Sequence, residues 1–247
     1  MREAIIVSTA RTPIGKAYRG TFNNTTAPTM GGWAVEEAVK RSGIDPEKVD
    51  DVIMGCAIQQ GTTHGNIARN VALTAGLPVT VSGMSIDRQC SSGMMAIATA
   101  AKQIIVDGME VVIGGGLESI SLAQTQKMNL DRYVDKNLVT KHKHIYMPML
   151  QTAEVVGKRY NVSRDAQDVY SLESQIRTAK AQVEGKFDQE IFPVTTSMGV
   201  MNKETKEISF VENTLTKDEG NRPTTTIEGL NSLKPVIEGG LITAGNA

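Results

Sequence analysis

Cys90 is the residue of this chain whose type and setting point most directly to chemistry. It follows Asp-Arg-Gln and precedes Ser-Ser-Gly, between a stretch of apolar and β-branched residues at 81–87 and a run rich in alanine and methionine. These compositions predict a buried strand followed by a helix, for which Ser91 and Ser92 are capping types. Cys90 would then lie at a helix start, where the positive end of the dipole stabilises a thiolate. Such a thiolate can act as the nucleophile of covalent catalysis.

A free cysteine is more often a small buried residue whose reactivity plays no part. Cys56 fits that description because it lies in an apolar strand pattern. The polar residues around Cys90 do not, so we favour the reactive interpretation there, with Gly93 allowing close backbone approach near the helix start. Two cysteines in 247 residues indicate a reducing compartment rather than a disulfide scaffold.

Alternating strands and helices are expected to position Cys90. Strand patterns cover 3–9, 50–57, 81–87 and 110–113, and helical patterns cover 30–41, 66–75 and 91–107. This βαβαβαβ order predicts an α/β fold, with a mixed, mostly parallel sheet and helices on both faces. The helix after Cys90 carries no charge before Lys102, which predicts that it is buried on all sides.

The character of the sequence changes after Gly116, where charged helical runs and loops replace the regular alternation. A long helical region at 154–185 is interrupted near 161–163, where Ser163 can cap the second part, and 203–213 reads as a short hairpin. We interpret 1–118 as an N-terminal α/β domain, 119–237 as an inserted, mainly helical loop domain, and 238–247 as the start of a segment returning to the first domain.

Composition argues against several functional classes. The net charge of −1 gives no bulk attraction to nucleic acid or membranes, and the apolar stretches are shorter than a membrane span. The N-terminus lacks the features of a signal or transit peptide. We therefore expect a cytoplasmic protein with neither nucleic acid nor membrane as a partner.

Two further motifs admit alternative interpretations. The glycine run at 114–116 follows a strand but lacks the G-x-G-x-x-G spacing of a phosphate loop, so backbone packing near the site is favoured over phosphate binding. The Lys-His-Lys-His run at 141–144 lacks metal-ligand spacing, so we expect these side chains to be solvated and expect no metal site.

Together the motifs resemble those of the thiolases, the acyl-CoA acetyltransferases that cleave or form 3-ketoacyl-CoA. The resemblance covers the whole chain in the correct order. The matching motifs are S-T-A-R-T-P-I-G-K, D-R-Q-C-S-S-G-M-M-A-I, G-G-G-L-E-S, Y-M-P-M-L-Q-T-A-E, S-R-D-A-Q-D, G-K-F-D-Q-E-I-F-P-V, L-K-P-V and T-A-G-N-A.

The resemblance implies that Cys90 is the catalytic nucleophile, which holds the acyl group as a thioester until a second substrate accepts it. CoA thioesters are then the substrates, and no separate cofactor is bound. The residues that match CoA contacts of the family are Met149 at the pantetheine arm, Gln175 and Arg222 near the nucleotide end, and Ala244 in the T-A-G-N-A turn. The chain departs from the family pattern at two positions. Pro148 stands where some relatives carry His, and Gly229 stands where a CoA-contacting Ser occurs. These departures leave the preferred acyl chain length open.

The motifs of the second thiolase domain do not occur in these 247 residues: there is no Asn-Glu-Ala-Phe, no Gly-His-Pro and no second cysteine in a glycine-rich loop. The resemblance therefore places this chain in the N-terminal part of a thiolase. It implies a homodimer or tetramer for the complete protein and little or no turnover for this chain alone. Two alternatives stay open, a β-ketoacyl synthase relative that takes acyl groups from a carrier protein, and a non-catalytic fragment; the loop-domain motifs favour the thiolase.

Overall fold

The structure is a computed structural model that describes residues 2–247. Its strands are β1 (Asp51–Gly55), β2 (Ser82–Ile86), β3 (Val112–Gly116), β4 (Val194–Met201) and β5 (Ile208–Leu215). Its helices are α1 (Ala27–Ser42), α2 (Ile67–Thr74), α3 (Ser92–Lys102), α4 (Ile120–Ala123), α5 (Lys136–Lys141), α6 (Met149–Arg159), α7 (Arg164–Val183) and α8 (Ile227–Asn231). Short 3₁₀ turns lie at Pro46–Lys48 and Gly61–Thr63, and a π-helical turn at Gln103–Asp107 continues α3.

The chain forms two compact units. One comprises Met1–Asn129 and Asp188–Gly220, and the other comprises Leu130–Phe187 and Asn221–Ala247. The boundaries after residues 118 and 237 that we inferred from the sequence refer to the domains of the family and stay a prediction. No helix within residues 2–247 has the length and the apolar character that crossing a membrane requires.

The first unit is built on a parallel sheet of order β2-β1-β3. In the central strand β1, Val52 and Met54 belong to a core formed with α1 and α2, whereas Ile53 belongs to a second core formed with α3. Because successive residues of a strand point to opposite faces, the two cores place helices on both sides of the sheet. The α/β class, the parallel pairing and the two helical layers are confirmed.

Residues 3–9 do not form the predicted first strand. They are irregular, and Ile5 and Ile6 are each 74% exposed. A strand needs a neighbour for its backbone hydrogen bonds, and no strand within residues 2–247 pairs with this segment. Residues 4–17 line a cavity of about 880 Å³ together with residues of α1, α3 and β3. The described sheet therefore has three strands where the sequence pattern predicted four.

The helical segment after Cys90, which comprises α3 and its π-helical continuation, ends where the sequence predicts, but α3 is not buried on all sides. Its π-helical continuation ends at Gly108, which has a φ of +81° and thereby terminates the helix. Ala96 and Ala100 are buried against the sheet, whereas Met94 is 77% exposed and Ile97 is 49% exposed. An uncharged helix buries only the face that another element covers, and within residues 2–247 α3 packs chiefly on β1 and β3.

The predicted buried strand before Cys90 is an edge strand. It pairs with β1 on one side, and its residues range from half-buried to exposed. The predicted hairpin is present and longer than expected, because β4 pairs antiparallel with β5 from Val194 opposite Leu215 to Met201 opposite Ile208. Val194 and Leu215 pack with Phe22, while much of the remaining hairpin is exposed, so the sequence shows no continuous apolar run there.

The second unit confirms the predicted interruption of the long helical region. Helix α6 ends at Arg159 and α7 begins at Arg164. Between them Asn161 has a φ of +53°, a left-handed conformation that asparagine tolerates better than most residues. Ser163 caps α7, since its Oγ accepts the N–H of Ala166 at 3.2 Å.

Candidate active site

Cys90 lies in the tight turn between β2 and α3, and it is exposed. The residue before it, Gln89, has a φ of +51°. Residues with a side chain rarely adopt this left-handed conformation, and it is concentrated at sites that need an unusual chain direction. The turn thus presents a thiol to solvent at the start of an eleven-residue helix, as the sequence predicted.

Side chains on both sides of Cys90 hold this turn. The carboxylate of Asp87 accepts the N–H of Gln89 at 2.7 Å. The hydroxyl of Ser92 accepts the N–H of Arg88 at 2.8 Å and donates to the carbonyl of Gln89 at 2.6 Å. Ser91 occupies the N-cap position, as its residue type allows, but its side chain makes no capping hydrogen bond. The hydroxyl of Ser92, inside the helix, bonds the turn, whereas Ser91 contributes its backbone N–H, which donates to the carbonyl of Arg88 at 3.1 Å.

Glycines at the ends of two strands bring the first turn of α3 onto the sheet. A Cβ added to Gly55 would overlap with the backbone of Ser92, and one added to Gly116 would lie 3.0 Å from the Cα of Gly93. At Gly93 itself the nearest atom to an added Cβ is 3.7 Å away, an ordinary contact. The close approach that we expected at Gly93 therefore depends on Gly55 and Gly116. Glycine within a strand was the available signal, because it often marks a close backbone approach.

The glycine run at 114–116 packs against the same helix. A Cβ on Gly114 would lie 2.9 Å from the Cα of Ile97 in α3. These contacts support the favoured interpretation of this run, which is backbone packing beside the site.

Cys56 is a core residue, as predicted. Its Sγ lies 3.6 Å from the carboxylate of Glu118, which also accepts the N–H groups of Ala57 and Ile58. Burial, and secondarily the charge of Glu118, raises the pKa of the Cys56 thiol to about 12. Cys56 is therefore a neutral thiol near pH 7, and Cys90 is the cysteine available to reagents in solution.

The second unit contains the four residues that match CoA contacts of the resembled family. Met149 is the first residue of α6 and is 77% exposed. Gln175 of α7 and Arg222 are in direct contact, because the side-chain carbonyl of Gln175 accepts the backbone N–H of Arg222 at 2.7 Å. Ala244 is exposed in a turn near the end of the chain. The structure thus joins Gln175 to Arg222 and places the other two on separate elements of the unit.

Two buried carboxylates, which sequence reasoning missed, hold the turn that carries Ala244. Glu154 of α6 is 5% exposed, and its Oε1 accepts the N–H groups of Leu241 and Ile242 at 2.8 and 2.9 Å. Asp168 of α7 is fully buried and accepts the side-chain amide of Asn246 at 2.8 Å. The turn is therefore anchored on both sides of Ala244. Both acids lie inside motifs that match the resembled family, but the residues next to them in the sequence do not show what they bind.

Two neighbours complete this network. Arg164 forms an ion pair with Asp168 at 2.7 Å and donates to the carbonyl of Leu230. The side chain of Asn246 reaches back to accept the N–H of Thr243 at 2.7 Å. Because a buried charge is tolerated only when it is paired and hydrogen-bonded, these contacts account for the burial of Asp168.

Comparisons with known proteins agree in the family that they indicate. The sequence model of the family "Thiolase, N-terminal domain" matches residues 4–247. A 3-ketoacyl-CoA thiolase of Bacillus subtilis (strain 168) is 40% identical over 250 residues, and an acetyl-CoA acetyltransferase of Cupriavidus necator is 35% identical over 258 residues. Each alignment covers 100% of this chain and 63% of the relative.

A solved structure shows the same similarity. The crystal structure of the Bacillus anthracis acetyl-CoA acetyltransferase matches with a TM-score of 0.83 and 36% identity, over 100% of this chain and 62% of that one. The chain thus spans somewhat less than two thirds of the length of the proteins that it matches.

Proposed function

This chain belongs to the thiolase family, and from that membership we propose that the complete protein transfers acyl groups between CoA thioesters through a covalent intermediate on Cys90. The observation that carries the proposal is an exposed thiol in a strained turn at the start of α3. A nucleophile in such a position is accessible to a bound thioester and lies at the positive end of a helix dipole.

The proposed reaction has two steps. In the synthetic direction the Sγ of Cys90 attacks the thioester carbonyl of an acyl-CoA, a new thioester bond forms, and the CoA sulfur departs with the electrons of the broken C–S bond. In thiolysis it attacks the 3-keto carbonyl of a 3-ketoacyl-CoA, and the carbanion of acetyl-CoA departs with the electrons of the broken C–C bond. The acyl group then passes to the carbanion of acetyl-CoA in synthesis or to the sulfur of CoA in thiolysis, and the Cys90 sulfur departs with the electrons of the broken thioester bond. Proton transfer in the family belongs to groups of the second domain, so this chain by itself supplies only the nucleophile and its setting.

We assign CoA binding to the second unit. Met149 would pack on the pantetheine arm, and Ala244 would contact the CoA moiety of the substrate from its anchored turn. The amide of Gln175 holds the backbone of Arg222, whose side chain is exposed and of the type that binds phosphate. A homodimer or tetramer and a cytoplasmic location complete the proposal, the latter supported by two cysteines that are both free.

The test is to treat the complete gene product with acetyl-CoA and locate the adduct by mass spectrometry of its peptides. We expect one acetyl group on Cys90, unchanged labelling in Cys56→Ala and none at this position in Cys90→Ala. An adduct elsewhere, or no adduct in the wild type, would overturn the proposal. Labelling by an acylated carrier protein but not by acetyl-CoA would favour the β-ketoacyl synthase alternative.

A second measurement tests the role of this chain alone. With acetoacetyl-CoA and CoA as substrates, we expect the 247-residue chain to show turnover near background. Turnover equal to that of the complete gene product would contradict the assignment of proton transfer to groups outside these residues.

A further inference from the structure

We infer that Ser92 is a positioning residue for Cys90. Its hydroxyl holds Gln89 in the left-handed conformation and thereby sets the direction in which the side chain of Cys90 projects from the turn. The consequence for catalysis rests on the function proposed above. The effect on the backbone does not depend on that function, so the two can be tested separately.

The turn needs an external restraint. Gln89 has a Cβ, which makes a φ of +51° unfavourable, and such a conformation persists only where the surroundings impose it. If Gln89 relaxed to a negative φ, the chain would leave it in another direction and Cys90 would move with it. The position of the nucleophile therefore depends on whatever holds this one residue.

The hydroxyl of Ser92 bonds the backbone on either side of Gln89. It accepts the N–H of Arg88 at 2.8 Å and donates to the carbonyl of Gln89 at 2.6 Å, so both hydrogen-bonding functions of the hydroxyl are used within the turn. Ser92 is only 4% exposed, so water has little access to replace the hydroxyl. The carboxylate of Asp87 accepts the N–H of Gln89, and the backbone N–H groups of Ser91 and Ser92 donate to the carbonyls of Arg88 and Gln89 at 3.1 and 3.0 Å.

The sheet in turn fixes Ser92. The backbone of Ser92 packs so closely on Gly55, at the end of the central strand, that a Cβ there would overlap with it. The position of the hydroxyl is therefore set by the rigid centre of the first unit. This gives a continuous physical path from β1 through Ser92 and Gln89 to Cys90.

Helix capping does not account for these contacts. Ser91, not Ser92, occupies the N-cap position, and Ser92 is the first residue of α3. The hydroxyl of Ser92 bonds residues that precede the helix. Ser91 is exposed and makes no side-chain capping bond, which makes it the matched control in the adjacent position.

The experiment compares Ser92→Ala with Ser91→Ala in the complete gene product. Hydrogen exchange, measured by mass spectrometry on peptides that contain Arg88, should speed up about tenfold or more in Ser92→Ala, because that N–H loses its acceptor. The kcat for thiolysis of acetoacetyl-CoA should fall about tenfold or more with KM changed less than about twofold, since misplacing a reacting group slows chemistry more than binding. Ser91→Ala should leave both near the wild type.

A rescue separates positioning from general loss of structure. Glycine adopts a φ near +51° readily, so Gln89→Gly should remove the need for the restraint and restore much of the kcat in a Gln89→Gly/Ser92→Ala double variant. Unchanged exchange at Arg88, or a kcat equal to that of Ser91→Ala, would overturn the inference. So would a loss of kcat that the glycine does not reverse.

Two other outcomes are also decisive. If the wild type shows no thiolysis, the proposed function fails, while exchange at Arg88 still tests the restraint. If circular dichroism shows Ser92→Ala to be unfolded, Gln89→Gly is compared with the double variant Gln89→Gly/Ser92→Ala instead. Hydrogen exchange at Arg88 must then be faster in the double variant, which lacks the Ser92 hydroxyl.

Discussion

Replacing Glu154 by alanine removes the acceptor that anchors the turn before Ala244. The side chain of Glu154 is almost fully buried, and its carboxylate receives the N–H groups of Leu241 and Ile242. An alanine at position 154 reaches neither group. Because Ile242 is itself buried and Leu241 is half-buried, water does not readily replace the lost acceptor.

The expected cost follows from the number of donors left without a partner. A buried donor that loses its acceptor costs about 1–3 kcal/mol, so two such donors predict a loss of about 2–6 kcal/mol in the free energy of unfolding. Glu154→Gln keeps one oxygen in place and loses mainly the assistance of the negative charge. For Glu154→Gln we expect a loss of about 1–2 kcal/mol in the free energy of unfolding, since charge-assisted hydrogen bonds are roughly twice as strong as neutral ones.

The assay is urea unfolding of the 247-residue chain, monitored by far-UV circular dichroism. Helices α6 and α7 make up most of the helical content of the second unit and therefore most of its signal. The matched control is Glu173→Gln, which removes an exposed carboxylate of α7 that pairs with Arg177 one turn away. That variant should unfold as the wild type does, because exposed ion pairs contribute little. Faster hydrogen exchange at Leu241 and Ile242 should accompany the loss in Glu154→Ala.

A free energy of unfolding for Glu154→Ala within about 0.5 kcal/mol of the wild type, the range of ordinary surface substitutions, would show that Glu154 does not anchor the turn. Equal effects of alanine and glutamine would show the same, because the larger loss is expected from the missing acceptor and glutamine keeps one. If the function proposed above holds, both variants should weaken CoA binding by the complete gene product in the same order.

Two further predictions concern thiols and pH. A disulfide reagent should titrate one thiol rapidly in the folded chain and a second only in denaturant, because Cys90 is exposed whereas burial raises the pKa of Cys56 to about 12; two rapid thiols would contradict this. Burial alone would raise the pKa of Asp218, but hydrogen bonds from Arg11 and from the N–H of Ile14, together with the charge of Arg11, bring it below its usual value. Asp218→Asn should therefore lower the free energy of unfolding by about 1–3 kcal/mol near pH 7. The difference from the wild type should shrink as pH falls below about 4, the range in which an unfolded Asp takes up its proton. A difference that stays constant down to pH 2–3 would refute that assignment, with urea unfolding at each pH as the measurement.

Features that depend on a few neighbouring residues were predictable from the sequence. The end of the helical segment after Cys90 at Gly108 and the cap of α7 at Ser163 each follow from local propensity or backbone freedom. The alternation of strands and helices likewise predicted the parallel sheet and its two helical layers, because hydrophobic period and element order are written in consecutive residues.

Tertiary structure decided which elements and groups find partners. Residues 3–9 have the composition of a strand, yet a strand exists only where another backbone pairs with it. Helix α3 has the composition of a buried helix, yet its burial depends on what covers each face. Composition could not show whether Ser91 or Ser92 bonds the turn through its hydroxyl, because the packing of the helix on the sheet determines which hydroxyl reaches the backbone of the turn.

The contrast is clearest for Glu154 and Leu241, which are 87 positions apart. Local propensity determined from the sequence alone that one lies in a helix and the other beside a glycine-rich bend. Their hydrogen bond exists because folding excludes water from both groups and leaves each as the other's available partner, a condition that only the packed structure creates.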